Sequence, residues 1–459
     1  MRTRYLLLPT AVLAIAAACK STLDVEPTTV VPEEIAVTDP VSARAALAGA
    51  YDALEDLDYY GADFVTLPEV GSDNATHTGT FTTYADADLN ELTADNTTDR
   101  AMWDAIYFGI DRANVVLEKV PTVAALSDDE KNEMLGEAYF LRALGHHNAM
   151  KLWGGIPLRT ARVKTIEEAS NASRTTLAES YAQVLKDLDD AQARITVERA
   201  HRTASIAAVR GLRARVLLYR ESPAPLGLGT GNWAAVEAEA DAVLAIPGLA
   251  LATNYSDLFT LNGADTPEDL FRVAFSDQDQ GEVSYFYVVK SLGGRRELAP
   301  TTNMRNAYEA GDLRRAWSIK TDPINANRYY FSKFPSVSST EHIHVIRLAE
   351  IYLIRAEARA RQGNLAGAVA DYNKLRERAK LPLHTLGVEV TDQASVLNAI
   401  DHERRIELAA EGDRWFDLVR TGRAVTALSL ANKTYQMLYP IPQEEIDVTQ
   451  GQIQQNAGY

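Results

Sequence analysis

Two stretches of the sequence combine aromatic side chains with neighbouring amide and carboxylate groups. Their members are Asp73, Asn74, Phe81 and Tyr84 within residues 67–96, and Trp317, Asn327, Tyr329 and Tyr330 within residues 317–340. Aromatic faces stack on the C–H faces of pyranose rings, and polar groups fix the orientation of a bound ligand. We therefore expect at least one of these residues to bind an oligosaccharide or a peptide. The alternative is that the rings only attach their own loops to the scaffold.

A charged run near the C-terminus is the second candidate for chemistry. It contains Glu403, Arg404, Arg405, Glu407, Glu411, Asp413, Arg414 and Asp417. At helical spacing Arg404 reaches Glu407, and Glu403 faces Glu407, before Gly412 ends the helix. We interpret the run as a structural ion network that joins two terminal helices, in preference to a catalytic carboxylate cluster. The members of this network are Glu403, Arg404, Glu407, Glu411, Arg414 and Asp417.

Histidines and acidic residues give no metal signature. His146 and His147 are adjacent and point to different sides of a helix, whereas His342 and His344 suit one face of a strand. Neither pair has the spacing of a known metal motif, and the serines lack a nucleophile-elbow pattern. The Asp/Asn-rich residues 72–96 leave calcium binding open, although they lack the spacing of a calcium loop. We predict no cofactor, no resident metal and no catalytic residue.

The single cysteine, Cys19, ends an apolar segment close to the N-terminus. Two arginines precede apolar residues 5–18, a pattern typical of a secretory signal peptide. Small residues immediately before a cysteine resemble a bacterial lipobox, which implies cleavage before Cys19 and attachment of diacylglycerol to its sulfur. An ordinary signal peptide with a coincidental cysteine is the alternative. We predict a signal peptide over residues 1–18 and a lipidated tether over residues 19–38.

The composition excludes one class of partner. The chain has 459 residues and a formal net charge of −17. Phosphate contacts need basic patches, so a protein this acidic is not expected to bind nucleic acid. The same charge disfavours peripheral docking on anionic lipid, so membrane attachment is expected from the acyl chains. No cysteine follows Cys19, so the fold relies on its core and not on disulfides.

The hydrophobic pattern predicts a mostly α-helical protein. Apolar residues recur at helical spacing through most of residues 39–250 and 341–459, and Asp39-Pro40 is a typical helix start. Residues 252–340 differ, because "DLFRVAF" and "EVSYFYVV" are typical of strands or extended loops, and residues 320–340 resemble a long loop. Long loops of this kind usually carry function.

One segment indicates how the helices pair. Residues 351–382 have the pattern of a helix, a Gly-Asn turn, a second helix and a proline stop. Small residues occur where the two helices must approach closely. The pattern resembles a tetratricopeptide repeat, with Gly363, Ala368 and Tyr372 at its small and aromatic positions. Residues 207–247 resemble a second copy.

Four long segments carry a more specific resemblance. They are "GEAYFLRALGHHNAMKLWGGIPL" (136–158), "RLAEIYLIRAEARARQGN" (347–364), "IDHERRIELAAEGDRWFDLVRTGRA" (400–424) and "LYPIPQEEIDVTQGQIQQNAGY" (438–459). Together with the lipobox, and in this order, they resemble the SusD/RagB family of outer-membrane nutrient-binding lipoproteins.

The resemblance implies a function without chemistry. It implies a surface-exposed lipoprotein that caps a TonB-dependent, SusC-like transporter of the bacterial outer membrane. Such a protein would bind an oligosaccharide or peptide nutrient and deliver it to the transporter through binding and lid motion. Family members often carry acids directly after the lipidated cysteine, whereas Lys20, Ser21 and Thr22 come first here. Because those acids are associated with export to the outer leaflet, this departure weakens the support for the prediction that the protein faces the cell exterior.

We predict a mostly α fold, a tetratricopeptide-like helix-pair scaffold with long loop-rich insertions and a few short strands. A single SusD-like domain would span residues 39–459. It would comprise an N-terminal helical half (39–250), a loop-rich ligand-facing insertion (251–340) and a C-terminal repeat and terminal segment (341–459). Two other functions remain open. One is a secreted helical-barrel glycosidase or lyase that uses paired carboxylates, and the other is a scaffold whose repeats bind only proteins.

Overall fold

Helices dominate the computed structural model, which describes residues 37–259, 265–335, 340 and 342–459. The predicted mostly α fold class is confirmed. The predicted signal peptide, Cys19 and nearly all of the tether lie outside the described residues. Among the described residues, no helix combines the length and apolar character needed to span a bilayer.

The helices have the following bounds. They are α1 (Pro40–Asp52), α2 (Asp63–Val70), α3 (Thr82–Asp88), α4 (Thr97–Lys119), α5 (Asp128–Trp153), α6 (Ile166–Ser170), α7 (Leu177–Gln192), α8 (Ile206–Glu221), α9 (Trp233–Leu244), α10 (Val283–Tyr287), α11 (Thr302–Ala307), α12 (Arg315–Ser318), α13 (Leu348–Arg361), α14 (Leu365–Arg378), α15 (Gln393–Glu407), α16 (Arg414–Arg420), α17 (Ala424–Ala427) and α18 (Gln443–Val448). A π-helical turn, Leu57–Gly61, precedes α2.

The strands of the described residues form three small antiparallel sheets. They are β1 (Ala75–His77), β2 (Asp269–Val273), β3 (Leu298–Pro300), β4 (Ile319–Asp322), β5 (Asn325–Phe331) and β6 (Ile343–Arg347). The pairs are β1 with β3, β2 with β6 and β4 with β5. The β1–β3 pair, in which Thr76 lies opposite Ala299, brings the first predicted loop against the insertion.

Local signals explain where the long helices begin. Asp39 accepts hydrogen bonds from the backbone N–H groups of Val41 and Ser42, and Pro40 occupies the first helical position. Ser127 and Glu130 form the capping box that starts α5. The start at Asp39 agrees with the sequence prediction. The apolar faces of α4, α5, α7 and α8 then share one core with the sheets.

The predicted helix pairs are present. Helices α13 and α14 are joined at Gly363, whose φ of 85° favours glycine because a side chain strains this left-handed conformation. Ala356, Ala368 and Tyr372 are fully buried between the helices, so small residues allow the close approach and the aromatic ring fills the space beside them. Helices α8 and α9 form a second pair.

Two local predictions in residues 252–340 are wrong. The segment "EVSYFYVV" contains helix α10 instead of the predicted strand or extended loop, and four of the five α10 residues are buried. Packing against α2 therefore overrides the β-propensity of its valines and aromatics. Residues 319–331 form the β4–β5 hairpin and not a loop. The turn signal was present, since Asp322 followed by Pro323 suits the first two positions of a β-turn.

The charged run forms ion pairs in the core with cations from other elements. Arg347, at the end of β6, donates to Glu407 at 2.5 Å and to both carboxylate oxygens of Glu411 at 2.9 Å. Arg314 donates to Glu403 at 2.9 Å. All five side chains are almost completely buried. The run therefore joins the C-terminal helices to the insertion.

Arg404 differs from its predicted pairing. Helical spacing suggested Glu407, but Arg404 donates to Asp417 at 2.8 Å. Arg420 donates to the other oxygen of Asp417, also at 2.8 Å. The carboxylate between two guanidinium groups connects α15 and α16. Burial would raise the pKa of Asp417, but Arg404 and Arg420 outweigh it and lower this pKa to about 2.

Candidate functional site

The eight predicted ligand residues differ in their accessibility. Asn74, Tyr84 and Tyr330 are buried. The Asp73 carboxylate is partly exposed, and so is Tyr329. Phe81 and Trp317 are each 37% exposed, and Asn327 is exposed on β5. Only the accessible side chains offer a surface to a ligand in this structure.

Asp73 and Asn74 connect the first loop to the C-terminal helices. The Asp73 carboxylate accepts a hydrogen bond from Arg414 Nε at 2.7 Å, and Arg405 donates to Asn74 Oδ1 at 2.8 Å. Asn74 also donates to the buried Glu69 at 3.0 Å. Burial would raise the pKa of Asp73, but the guanidinium of Arg414 outweighs it and lowers the pKa. These contacts fix the base of the loop that carries Phe81.

A cleft beside Phe81, here called cleft A, has a volume of ≈ 470 Å³. Its aromatic lining consists of Phe81, Tyr84 and Phe286, of which only Phe81 is exposed. The Tyr84 and Phe286 rings are buried and stack with centroids 5.5 Å apart. The Phe81 ring lies 5.8 Å from Phe286. Threonines and three acidic residues complete the lining. Cleft A therefore combines an aromatic platform with hydroxyl and carboxyl groups.

Asp63 is the most deeply placed acid of cleft A. Tyr84 donates its hydroxyl hydrogen to Asp63 Oδ1 at 2.5 Å. Burial raises the pKa of Asp63 to about 7, and the neighbouring Asp58 and Glu282 add to the rise while the Tyr84 hydrogen bond opposes it. Near pH 7 this carboxyl group is present in both protonation states, so it can donate or accept a hydrogen bond. Such a group suits a ligand hydroxyl, which has the same capacity.

A second cleft, here called cleft B, lies next to cleft A and has a volume of ≈ 390 Å³. Thr80 borders both clefts. Cleft B also contains Lys290, Arg295, Tyr285 and the edge of Glu297. It is thus a polar extension of the aromatic cleft.

The loop between the two clefts is built around Glu297. This buried carboxylate accepts hydrogen bonds from the backbone N–H groups of Thr80 at 2.6 Å and Phe81 at 2.5 Å, and from Arg295 Nε at 2.6 Å. A Cβ on Gly79 would lie 2.0 Å from Glu297 Oε2, so only glycine permits this close approach. Burial would raise the pKa of Glu297, but these donors lower it. Glu297 thereby holds Phe81 at the cleft.

The other predicted residues lie in strand β5 and, for Trp317, in the short helix α12 that precedes the β4–β5 hairpin. Trp317, Asn327, Tyr329 and Tyr330 line neither cleft A nor cleft B. Arg296 Nε donates to the carbonyl of Tyr329 at 3.2 Å, so the hairpin is attached to the strand segment that follows cleft B. The hydrogen bond from Arg296 places the hairpin next to the segment that lines cleft B. The ligand role of these side chains stays a prediction.

Sequence reasoning missed several lining residues. Asp63 lies far along the chain from Glu282, Phe286 and Arg295, which lie within residues 282–295. Phe286 lies in the segment mistaken for a strand. The pair Arg295-Arg296 after two glycines was the one available signal, since a Gly-Gly loop with adjacent arginines is typical of an exposed polar turn.

A third cleft, here called cleft C, lies between α4, residues 157–169 and α18 and has a volume of ≈ 390 Å³. Its lining includes Tyr107, Phe108 and Glu445 and none of the eight predicted ligand residues. Phe108 is 46% exposed. Cleft C therefore offers a matched aromatic side chain outside the candidate site.

Acidic groups are close enough for a cation at one place in the described residues. Oxygens of Asp52, Glu55 and Asp279 lie within 4.8 Å of one another. The group lies outside residues 72–96, the stretch for which calcium was left open. Both predicted histidine pairs have other surroundings: His344 lies 2.7 Å from Asp269, and His146 accepts from the Arg159 backbone N–H.

Two family profiles match the chain. The profile described as "SusD family" matches residues 320–433, and the profile described as "Starch-binding associating with outer membrane" matches residues 23–218. SusD-like protein P38 of Formosa agariphila is 28% identical over 480 residues, which cover 92% of this chain and 91% of the relative.

The chain belongs to the SusD/RagB family.

Solved structures agree with this SusD-like fold. A SusD superfamily protein from Bacteroides vulgatus superposes with a TM-score of 0.81 at 19% identity, covering 92% of this chain and 99% of that structure. A structure named as a laminarin-binding SusD-like protein superposes with a TM-score of 0.80 at 24% identity, covering 92% of this chain and all of that structure. The SusD-like fold therefore extends over both terminal halves and over the segments that form clefts A and B.

Proposed function

We propose that this SusD-like protein binds an oligosaccharide at cleft A. The observation that carries the proposal is the exposed Phe81 ring, supported by the buried Tyr84 and Phe286 rings, in the same cleft as the Asp63 carboxyl group. Sugar rings present apolar C–H faces and hydroxyl edges, which match an aromatic platform and a nearby donor and acceptor. The similarity to a protein named as laminarin-binding supports a glycan over a peptide.

The binding is proposed to involve no chemistry on the glycan. The conspicuous carboxylates of the C-terminal run are buried among guanidinium groups, where a substrate has no access. The acids of cleft A lie beside one another on a shared wall, with Tyr84 as the hydrogen-bond partner of Asp63. A binding role uses these groups as hydrogen-bonding partners of hydroxyls.

The cellular setting is part of the proposal. We propose that acyl chains on Cys19 hold the protein on the outer membrane, facing the exterior, and that it delivers its ligand to a TonB-dependent, SusC-like transporter. The lipobox supports the anchor. The SusD/RagB resemblance and the profile description "associating with outer membrane" support the location and the delivery role.

Phe81→Ala is expected to weaken oligosaccharide binding about ten-fold, because one aromatic stacking contact contributes about 0.5–1.5 kcal/mol beyond the area it buries. Phe108→Ala is the matched control, since it removes an exposed phenylalanine from cleft C. The dissociation constant is measured by titration calorimetry with an oligosaccharide selected on a glycan array. Equal affinity of wild type and Phe81→Ala, with a loss in Phe108→Ala, would move the site to cleft C.

A further inference from the structure

One segment of this acidic protein has the opposite charge. Residues 283–335 contain nine lysines and arginines and four acidic residues, whereas the whole chain has a formal net charge of −17. The four acids contribute little negative charge to the surface. Glu297, Asp312 and Asp322 are buried, and Glu309 pairs with Arg376 at 2.6 Å. Two of the nine cations, Arg314 and Lys333, are also buried and pair with Glu403 and Glu411. The other seven are at least partly exposed, so the surface of this segment is basic.

The basic residues of this surface lack acidic partners. Within the described part of the chain, the ion pairs include none for Lys290, Arg296 or Arg328, while Arg295 pairs with the buried Glu297. Lys290 and Arg328 are exposed. Arg296 and Arg328 are close enough to repel: burial and the charge of Arg328 both lower the pKa of Arg296, and the Asp322 carboxylate, which attracts both guanidinium groups, opposes this shift. Like charges that are compensated only in part and that face solvent favour an anionic partner.

Cations of the same segment lie over the accessible aromatic rings. Arg295 lies 3.8 Å from the centroid of the Phe81 ring, and Arg305 lies 4.1 Å from that of Tyr329. Lys320 Nζ lies 5.4 Å from the Trp317 ring. A ligand that approaches these rings therefore meets guanidinium and ammonium groups as well as apolar faces. A purely neutral glycan would leave Arg305 and Lys320, which form no ion pair within the described residues, without an anionic partner.

We infer that the ligand is an acidic oligosaccharide, with its carboxylate or sulfate groups in cleft B beside Lys290 and Arg295 and its hydroxyls in cleft A. The inference rests on the proposed function. The planar fork of a guanidinium matches the oxygens of a carboxylate or a sulfate ester. The two adjacent clefts share Thr80, so one short chain can occupy both. A concave site of this size favours a glycan over the flat surface of an acidic protein.

The test compares binding of the full mature protein to neutral and acidic polysaccharides. The probes are laminarin and soluble starch, alginate and polygalacturonate as carboxylated chains, and carrageenan as a sulfated chain. Lys290→Glu/Arg328→Glu reverses two exposed charges that make no hydrogen bond to the loop of Phe81. Lys374→Glu, an exposed position on α14, is the control.

We expect at least one acidic polysaccharide to bind more tightly than either neutral chain. The double charge reversal is expected to weaken this binding at least about ten-fold, as the loss of a charge-assisted contact implies, and Lys374→Glu to leave it unchanged. Raising the salt concentration should weaken it as well, since exposed charges are screened. Whether alginate or carrageenan responds distinguishes carboxylate from sulfate.

Three other results would overturn the inference. Binding of laminarin or starch that the charge reversal leaves unchanged would contradict the acidic ligand and retain the proposed function. Absence of binding to every polysaccharide would contradict both. Unchanged glycan binding, together with loss of the transporter from mild-detergent extracts of the charge-reversed protein, would assign these cations to a protein interface.

Discussion

Arg347→Met is expected to lower the free energy of unfolding by about 3–5 kcal/mol, the effect seen when one partner of a buried ion pair is removed. Arg347 is 1% exposed and donates to Glu268, Glu407 and Glu411. Methionine fills much of the same space but leaves these buried carboxylates with less compensation. Burial would raise the pKa of Glu411, and Arg347 with Lys333 instead lowers it to about 2. Without the Arg347 guanidinium, the cost of burying the Glu411 carboxylate is no longer offset.

Urea denaturation followed by circular dichroism measures the effect. Arg44→Ala is the control, because Arg44 and Glu130 form an ion pair in which both side chains are about half exposed. Such surface pairs contribute only about 0.2–1 kcal/mol. Comparable losses in the two variants would show that the buried network has no special weight in this fold.

Asp99→Asn is expected to stabilise the protein, with a gain that grows with pH. Burial raises the pKa of Asp99 well above 3.8, and the hydrogen bond from Trp153 Nε1, at 3.0 Å, opposes this only in part. The folded protein therefore keeps a proton that the unfolded chain loses. This contribution to stability is fully present below about pH 4 and declines by about 1.4 kcal/mol per pH unit up to the folded-state pKa. Asparagine has no such proton, and its Oδ1 can still accept the hydrogen bond.

The measurement is the difference in unfolding free energy between Asp99→Asn and wild type at about pH 5 and about pH 8, where linkage predicts an increase. The position of Asp99 in the first turn of α4 favours the anion by about 0.3–1 kcal/mol, which reduces the increase without reversing it. Asp95→Asn, at an exposed position, should show no trend. A difference that stays constant with pH would contradict a protonated Asp99 in the folded state.

The helical scaffold could be predicted because its signals are local. The starts at Asp39 and Ser127 and the turn at Gly363 depend on residues within one or two helical turns. The "EVSYFYVV" segment failed for the opposite reason. Its short apolar pattern suits a strand or a buried helix equally, and packing against α2 decides between them.

The candidate site could be predicted only in part, because distant segments build it. Phe81 and Tyr84 were identified from composition, whereas Phe286 and Arg295 reach the same clefts through contacts that no local pattern encodes. The ion pairs of the charged run could likewise be predicted only in part. Glu407 was identified as a network member, but its partners Arg314, Arg347 and Arg378 come from other elements.

Hydrogen–deuterium exchange of the protein with and without a bound oligosaccharide tests the central claim most directly. The account predicts slower exchange in residues 57–63, 78–84, 97–98 and 282–297, the four segments that line clefts A and B. Residues 103–114 of α4 and residues 443–448 of α18, around cleft C, should exchange at the same rate in both samples. Slower exchange confined to residues 103–114 and 443–448 would contradict the assignment and place the bound glycan in cleft C.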